Sequence, residues 1–337
     1  MRRVGEVFGA IAALENLWGA WRDFQRGKRG RPAVQRFRPQ AAEVIVRLTR
    51  DLVAGEYAPF PYRLLRITTP KRRLIAAAAV RDRVVHHAVH RVLAPLLDPG
   101  LSAQTYACLP GKGLHRALLA FIAGFRRYRW HVHLDIRAYF PSVDRGILLE
   151  VMARRVKDRR ALALLGTIAE SGAGIYEAPG VAEFLGLEPG FPPAGCGLPI
   201  GNLTSQWWGN HYLAGLDHFV MRELKAPFYQ RYMDDFVLMG DDASALERQR
   251  EAIARWLAAE RRLTLKDPGA VVRGCAAEVL YLGQRVSRVG WRPRGETMRR
   301  FERRVRGLVA AGDVEAVERS VASYRGVLGL RRPPTLG

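Results

Sequence analysis

Three carboxylates stand where carboxylates are unusual. Asp234 and Asp235 interrupt an apolar, strand-like run, Tyr232-Met233-Asp234-Asp235-Phe236-Val237-Leu238-Met239. Asp135 ends another, Trp130-His131-Val132-His133-Leu134-Asp135. Burying an unpaired carboxylate is costly, so acids in such a setting need protons, cationic partners or metal ions. Taken alone, the Asp-Asp pair is better read as a solvent-exposed hairpin turn, and Asp135 as a helix cap. Taken together, with Asp135 lying 99 and 100 residues before the pair, they make a three-carboxylate set. Such a set suits two Mg²⁺ ions, which take oxygen ligands and keep positions open for substrate phosphates. Two such ions, about 4 Å apart, can clamp the attacking and leaving oxygens of an in-line phosphoryl transfer. Mn²⁺ is the natural substitute.

A second segment, Gly197-Leu198-Pro199-Ile200-Gly201-Asn202-Leu203-Thr204-Ser205-Gln206, is a Gly-Pro-Gly loop opening into a helix. It permits close backbone approach and an anion-friendly helix start, although an ordinary capped helix entry is the plainer account of it alone. His86, His87 and His90 have near-helical spacing, but no Cys or acidic cluster accompanies them as zinc would require. Buried neutral or RNA-facing histidine is the better reading. Trp207 and Trp208 could stack on a base, yet core packing suits them better. Gly27-Lys28-Arg29-Gly30-Arg31-Pro32 is a charged, breaker-rich loop that fits a solvated linker and a phosphate contact equally.

The elements that must position these residues follow from periodicity. Residues 1–60 read as helical and basic. Arg66 to Ile75 reads as a hairpin with a basic tip at Pro70-Lys71-Arg72-Arg73, and Val80–Leu97 as a helix. A strand over 130–135, a helix over 145–156 and a Gly- and Pro-rich loop over 172–200 follow. One long helix is expected over 202–224, a β-hairpin over 228–240, a helix over 244–262 and strands over 263–289. A short basic helical stretch ends the chain. The sum is an α+β fold.

The composition agrees with a polyanionic partner. The chain has 337 residues and a net charge of +22, from 54 Lys and Arg against 32 Asp and Glu. Each phosphate neutralised by such a protein releases a condensed counterion. Hydrophobic residues reach 48%, enough for a real core. Cys108, Cys196 and Cys275 are scattered and odd in number, so no disulfide framework or zinc pattern is expected and a reducing cytoplasm is the simplest compartment. No signal peptide and no apolar run long enough for a membrane span are seen.

In this order and spacing the motifs resemble reverse transcriptases. The Asp135 strand is similar to the first catalytic palm motif, Gly197 to Gln206 to the loop-helix motif lining nucleotide and template, and Tyr232-Met233-Asp234-Asp235 to the signature hairpin. Tyr281-Leu282-Gly283 resembles the primer grip. Upstream, Pro70 to Ile75, Arg81 to Ala88, Tyr106-Ala107-Cys108 and Gly111-Lys112-Gly113 resemble the fingers motifs of bacterial enzymes.

The resemblance implies a right-hand polymerase of four parts: a basic helical extension over 1–60, fingers over 61–130, a palm over 131–290 with an insertion at about 157–200, and a short helical thumb over 291–337. It implies catalysis and metal binding at Asp135, Asp234 and Asp235, with Ile136 in the metal set. Lys71, Arg72, Arg81, Ile200 and Gly201 would meet the incoming dNTP, and Phe140 would be the ring that excludes a ribose 2′-hydroxyl. Asn202, Gln206, Tyr232, Met233, Tyr281, Leu282 and Gly283 would meet template or primer. Lys266 is a loose match to a pyrophosphate-protonating general acid, and a solvated strand lysine is the preferred reading. RNA template, DNA or RNA primer and dNTPs are the implied partners.

Within the family the chain looks most like enzymes of diversity-generating retroelements, which work with a small basic accessory protein. Most relatives carry Gln where this chain has Ile200, and often a basic residue where it has Leu109. Without the amide's hydrogen bonds, discrimination should fall, which implies error-prone cDNA synthesis. A retron-type or phage-defence enzyme is the alternative within the family. A non-catalytic RNA-binding protein on a polymerase scaffold is the alternative outside enzymes, disfavoured because all three acids are retained. The short stretch after 295 leaves no room in this sequence for maturase, endonuclease or RNase H extensions.

Overall fold

A computed structural model describes residues 3–69 and 71–328. Pro70, at the tip of the expected hairpin, and the last nine residues of the expected thumb lie outside that range. The chain opens with helices α1 (Phe8–Ala12), α2 (Leu14–Gln25), α3 (Pro32–Phe37) and α4 (Ala41–Ala54). Strands β1 (Arg63–Ile67) and β2 (Arg73–Ala77) precede α5 (Val80–Leu97) and α6 (Leu114–Arg127). Then come β3 (Trp130–Asp135), α7 (Tyr139–Ser142), α8 (Arg145–Ala153), α9 (Arg159–Glu170) and α10 (Val181–Leu185). After α11 (Leu203–Tyr212) and α12 (Ala214–His218) the chain forms the hairpin β4 (Phe228–Tyr232) and β5 (Asp235–Gly240), then α13 (Ala243–Arg261). It closes with β6 (Arg273–Gly274), β7 (Val279–Tyr281), β8 (Gln284–Ser287), β9 (Gly290–Pro293), α14 (Gly295–Ala310) and α15 (Val314–Leu328). Mixed helices and antiparallel strands make this the expected α+β class.

The chain forms two compact units that interleave along the sequence. The first combines the segments up to Ala103, Ile136–Phe219 and Ile253–Lys266; the second combines Gln104–Asp135, Val220–Ala252 and the chain from Asp267 onward.

In the first unit, α2 and α5 pack through Leu17, Trp21 and Phe24 on one side and Val84, Val85 and Ala88 on the other, all buried. The i, i+4 and i+7 spacing of Leu17, Trp21 and Phe24 is that of an amphipathic helix with one apolar face. Asp158 caps α9 through Oδ1, which accepts from the backbone N–H groups of Arg160 and Ala161, while Oδ2 accepts from those of Val7 and Phe8. One side chain thus ends two helices. A smaller core of Leu74, Ala76, Ile175, Tyr176 and Val181 lies under the β1–β2 hairpin.

The second unit holds a four-stranded sheet in the order β4-β5-β3-β6 and a β7-β8-β9 meander. Helix α6 lays Phe121 and Phe125 against Val237 and Met239 of β5 and against Tyr281 and Val286. Each such side chain contributes about 1.5–3 kcal/mol on burial, so this cluster fixes the sheet that carries the carboxylates. The turn joining β7 to β8 is Leu282-Gly283, both at positive φ (46° and 77°) between the paired Tyr281 and Gln284. That is the type I′ geometry favoured in two-residue hairpins.

The single helix expected over 202–224 is broken into α11, α12 and a π-type turn at Phe219–Glu223. Leu213 leaves helical geometry at φ −94°, ψ 0°. The Arg261 Nε donates to the Tyr212 carbonyl at 2.7 Å, occupying an acceptor a continuing helix would use. Lys266 is an exposed residue in a bend after the isolated Ile136–Leu265 bridge, rather than a strand residue.

Candidate active site

Strand register brings distant acids together. β3 and β5 run antiparallel with Asp135 opposite Asp235 as their last pair. β4 and β5 close with Tyr232 opposite Asp235, so Met233 and Asp234 form the two-residue turn. The three acids, 99 and 100 residues apart in sequence, therefore meet at one end of one sheet. Met233 turns at φ +64°, a region that favours glycine; holding a side chain there costs on the order of 1 kcal/mol.

Two side chains brace the turn. Arg231, fully buried, donates from Nη1 to the Met233 carbonyl at 2.9 Å and from Nη2 to Thr105 Oγ1 at 3.3 Å. On the face of Asp135, His133 Nε2 lies 2.5 Å from Asp235 Oδ1. The His133 ring stands edge-on to Tyr281, with centroids 5.7 Å apart, and Tyr281 stacks on Phe121 at 4.2 Å. Gln230 Nε2 donates to the Tyr281 hydroxyl at 2.9 Å and to the Ala117 carbonyl at 2.8 Å. Burial, and then the nearby Asp235 charge, push the Tyr281 phenol well above its usual pKa, so it stays neutral. The expected primer-grip tyrosine is thus buried, one ring away from the acids; Leu282 packs partly buried against the same core, and only Gly283 of the three is exposed.

The donor set is all carboxylate oxygen, which suits a hard divalent cation. Among the described residues, no group of three or more His, Cys, Asp or Glu side chains is placed so that it could hold a metal ion.

The other expected residues lie in the first unit. Lys71 and Arg72 are exposed beyond β1; Arg72 Nη1 reaches the Phe184 carbonyl at 3.5 Å. Arg81 is more committed: it stacks over Phe60 with its Cζ 4.4 Å from the ring centroid and lies within 4 Å of Asp51 and Asp82. Phe140 is half-buried beside Tyr139, and Ile136 has its side chain buried. The Ile200 carbonyl accepts from Ala76 N at 2.8 Å, which seats the loop on β2. Gly201 follows at φ +114°, where a Cβ would come within 3.0 Å of Ile75. Asn202 is buried and donates to the Tyr62 hydroxyl at 2.9 Å; Gln206 is exposed. Trp207 and Trp208 are core residues at 1% exposure, and Trp207 Nε1 donates to Asp98.

Sequence reasoning passed over His133, Gln230 and Arg231. The signal for Arg231 was a cation inside a buried strand, and for His133 a polar residue two before Asp135 on the same strand face. No described helix is long and apolar enough to cross a membrane.

Comparison with known proteins identifies relatives of this chain. Protein YkfC of Escherichia coli (strain K12) is 26% identical over 276 residues, covering 72% of this chain and 70% of that protein. Group II intron-encoded protein LtrA of Lactococcus lactis subsp. cremoris is 26% identical over 190 residues, 55% of this chain but 29% of its own length. Among solved structures, apo telomerase from Candida tropicalis superposes with a TM-score of 0.49 at 10% identity, over 68% of this chain and 47% of that one, too loose a likeness to argue from. The family model for reverse transcriptase (RNA-dependent DNA polymerase) matches residues 68–285, well over half of the sequence, and the chain belongs to that family.

Proposed function

We propose that this protein carries out RNA-templated DNA synthesis at Asp135, Asp234 and Asp235 by two-metal nucleotidyl transfer, and that it serves error-prone cDNA synthesis in a diversity-generating retroelement. The observation that carries the catalytic part is the β3–β5 register, with Asp135 opposite Asp235 and Asp234 one residue away in the turn. When bound, two Mg²⁺ ions, or Mn²⁺, supply Lewis-acid activation of a primer 3′-hydroxyl and neutralise charge on the triphosphate. The chain's own part is to present carboxylate oxygens from a rigid strand end, with Ile136 offering at most its backbone carbonyl. His133 holds one oxygen of Asp235, and the Arg231 clamp sets the turn. Lys71 and Arg72 are the better-placed triphosphate ligands in their unit, since Arg81 is already engaged by a ring and two acids. Phe140 would exclude the ribose 2′-hydroxyl.

The retroelement reading rests on Ile200. A branched apolar side chain there offers no amide to the nucleotide, and mispairs are then rejected less strongly. An RNA template, a primer, dNTPs and a small basic accessory protein are the partners this implies, with the cytoplasm as the compartment. Extension of a DNA primer on an RNA template tests the catalytic part: Asp235→Asn should abolish extension while RNA binding survives, and equal extension by the variant removes Asp235 from the mechanism. For fidelity, misincorporation opposite template adenines should be high in the wild type and fall in Ile200→Gln. A wild type that copies adenine as faithfully as Ile200→Gln ends the retroelement reading.

A further inference from the structure

A cavity of about 200 Å³ lies within the first unit, between the α2–α3 loop, α5 and the start of α11. One wall is aromatic: Phe24 and His87 meet edge to face with centroids 5.8 Å apart. At the back stands His86, 1% exposed, with neither ring nitrogen bonded to any partner among the described residues. Asn202 adds a buried side-chain oxygen that is also unpartnered, and Gln206 lines the cavity from the exposed side. Unmet buried polar atoms cost about 1–3 kcal/mol each, so this lining gains if something hydrogen-bonds to it.

The rim is cationic. Lys28 Nζ lies 4.7 Å, and Arg83 Cζ 5.7 Å, from the centroid of the same Phe24 ring. Arg31 adds repulsion to both: burial first, then neighbouring arginines, hold the Lys28 and Arg83 pKa values below normal. Among the described residues none of Lys28, Arg31 and Arg83 is ion-paired with a carboxylate. Asp23 acts on the His87 wall but pairs with Arg26 and Arg91, and three like charges with no carboxylate paired to them are stabilised by an anion.

An aromatic wall, unmet donors and acceptors behind it, and an uncompensated positive rim complement one chemical class, a nucleotide. The cavity is smaller than the roughly 300–1,000 Å³ of a drug-sized cleft and suits a single planar base with its phosphate outside. The geometry points to a pocket that seats one unpaired nucleobase of an RNA strand between Phe24, His87 and His86, with the strand's phosphate on Lys28, Arg31 and Arg83. Splayed bases stacked on aromatic side chains and read at their edges are the usual mode of single-strand RNA recognition. The inference rests on the polymerase reading only for the identity of the strand as RNA.

Crosslinking of a 4-thiouridine-bearing single-stranded RNA to the full chain tests it, without primer, dNTP or metal. The outcome is therefore independent of whether extension occurs. Crosslinks should map to peptides containing Phe24 or His87, and Lys28→Glu should weaken RNA binding about tenfold with a shallower salt dependence. Lys28→Gln, which removes the charge without adding a repulsive one, should give a smaller loss in the same direction, with the melting temperature of each variant confirming that it folds. Crosslinks confined to other peptides, or RNA affinity unchanged in both variants, overturn the proposal. Uridine monophosphate added in competition distinguishes the sources. If it displaces the strand at equal nucleotide concentration, the pocket takes a free nucleotide and the strand assignment is wrong.

Discussion

Replacing Gly124 by Ala sets two effects of known size against each other. In an exposed helix the change would stabilise α6 by about 1 kcal/mol, since Gly is the poorest non-proline helix former. Gly124, however, faces the sheet. A Cβ there would stand 2.7 Å from Phe228 Cε2, 2.9 Å from Phe228 Cδ2 and 2.9 Å from Met239 Sδ. Phe228 and Met239 are partners across β4 and β5; the Met239 thioether can turn aside, but the Phe228 ring, met at two carbons, is stiffer. Overpacking of this kind costs about 1–3 kcal/mol, which exceeds the helix gain. The net expectation is a loss of about 1 kcal/mol, or about 2 °C in melting temperature for a chain of this length. Because the same hairpin ends in Asp234 and Asp235, displacing it should also lower the primer-extension rate, by up to about tenfold at sub-ångström shifts. Thermal melting and single-turnover extension of Gly124→Ala, alone and with Phe228→Leu, measure both. The double variant should regain stability, as neighbours in contact couple. A Gly124→Ala protein that melts above wild type would show that α6 is free to lift from the sheet and would refute the reasoning.

Two further outcomes are expected. Arg231→Lys replaces a fixed fork by a point charge and cannot keep both the Met233 carbonyl and Thr105 satisfied. It should lose about 1–3 kcal/mol in urea unfolding and slow extension, whereas wild-type behaviour in both would show that the clamp is idle. Acid should destabilise the protein through its histidines: burial holds His86 at about 3 and His131 at about 4, against 6.5 for an unperturbed group. Below pH 6.5 the unfolded chain binds these protons first, so stability is full above that value and falls as the pH drops toward 4 and 3. By pH 5 each histidine should have removed about 2 kcal/mol. Urea midpoints at pH 7.5 and 5 check this, and a difference no smaller in His86→Phe would exonerate that residue.

Much of the fold was legible because its pattern is local. Val80–Leu97, Trp130–Asp135 and the 228–240 hairpin carry periodicities of 3.6 and 2 that neighbouring residues alone establish. What the pattern could not supply were tertiary partners. The break in the 202–224 helix depends on Arg261, 49 residues from Tyr212, and the His133–Asp235 contact joins residues 102 apart. The nucleobase pocket draws on Phe24, His86 and Asn202 from three separate stretches. Arg81 read as a free cation because Asp51 and Phe60 lie 30 and 21 positions earlier (81 − 51 and 81 − 60). Lys28 was open to a solvated-linker or a phosphate-contact reading; its convergence with Arg83 on one ring is a tertiary fact the sequence could not supply.

The placement of the acids is a consequence of core packing rather than an addition to it. Along β3, Val132 and Leu134 are buried on one face, while His133 and Asp135 share the other. Along β5 every residue from Phe236 to Gly240 is buried, with Phe236 and Leu238 opposite Leu134 and Val132 and with Val237 and Met239 packed under α6 on the other face. Because side chains alternate with a period of two, sliding β3 by one residue would turn Asp135 toward the apolar face and Leu134 away from it. Each misplaced aliphatic residue would forfeit about 1.5–3 kcal/mol of burial, and a carboxylate would be pressed among Phe236 and Leu238 without a partner. Only the observed register keeps both faces satisfied, and that register sets Asp135 opposite Asp235. The turn then has no freedom to choose: with Tyr232 fixed opposite Asp235, two residues must span the strands, and Met233 accepts a positive φ so that Asp234 stands beside its neighbours. The apolar side chains of β3 and β5 thereby determine where the chemistry can occur.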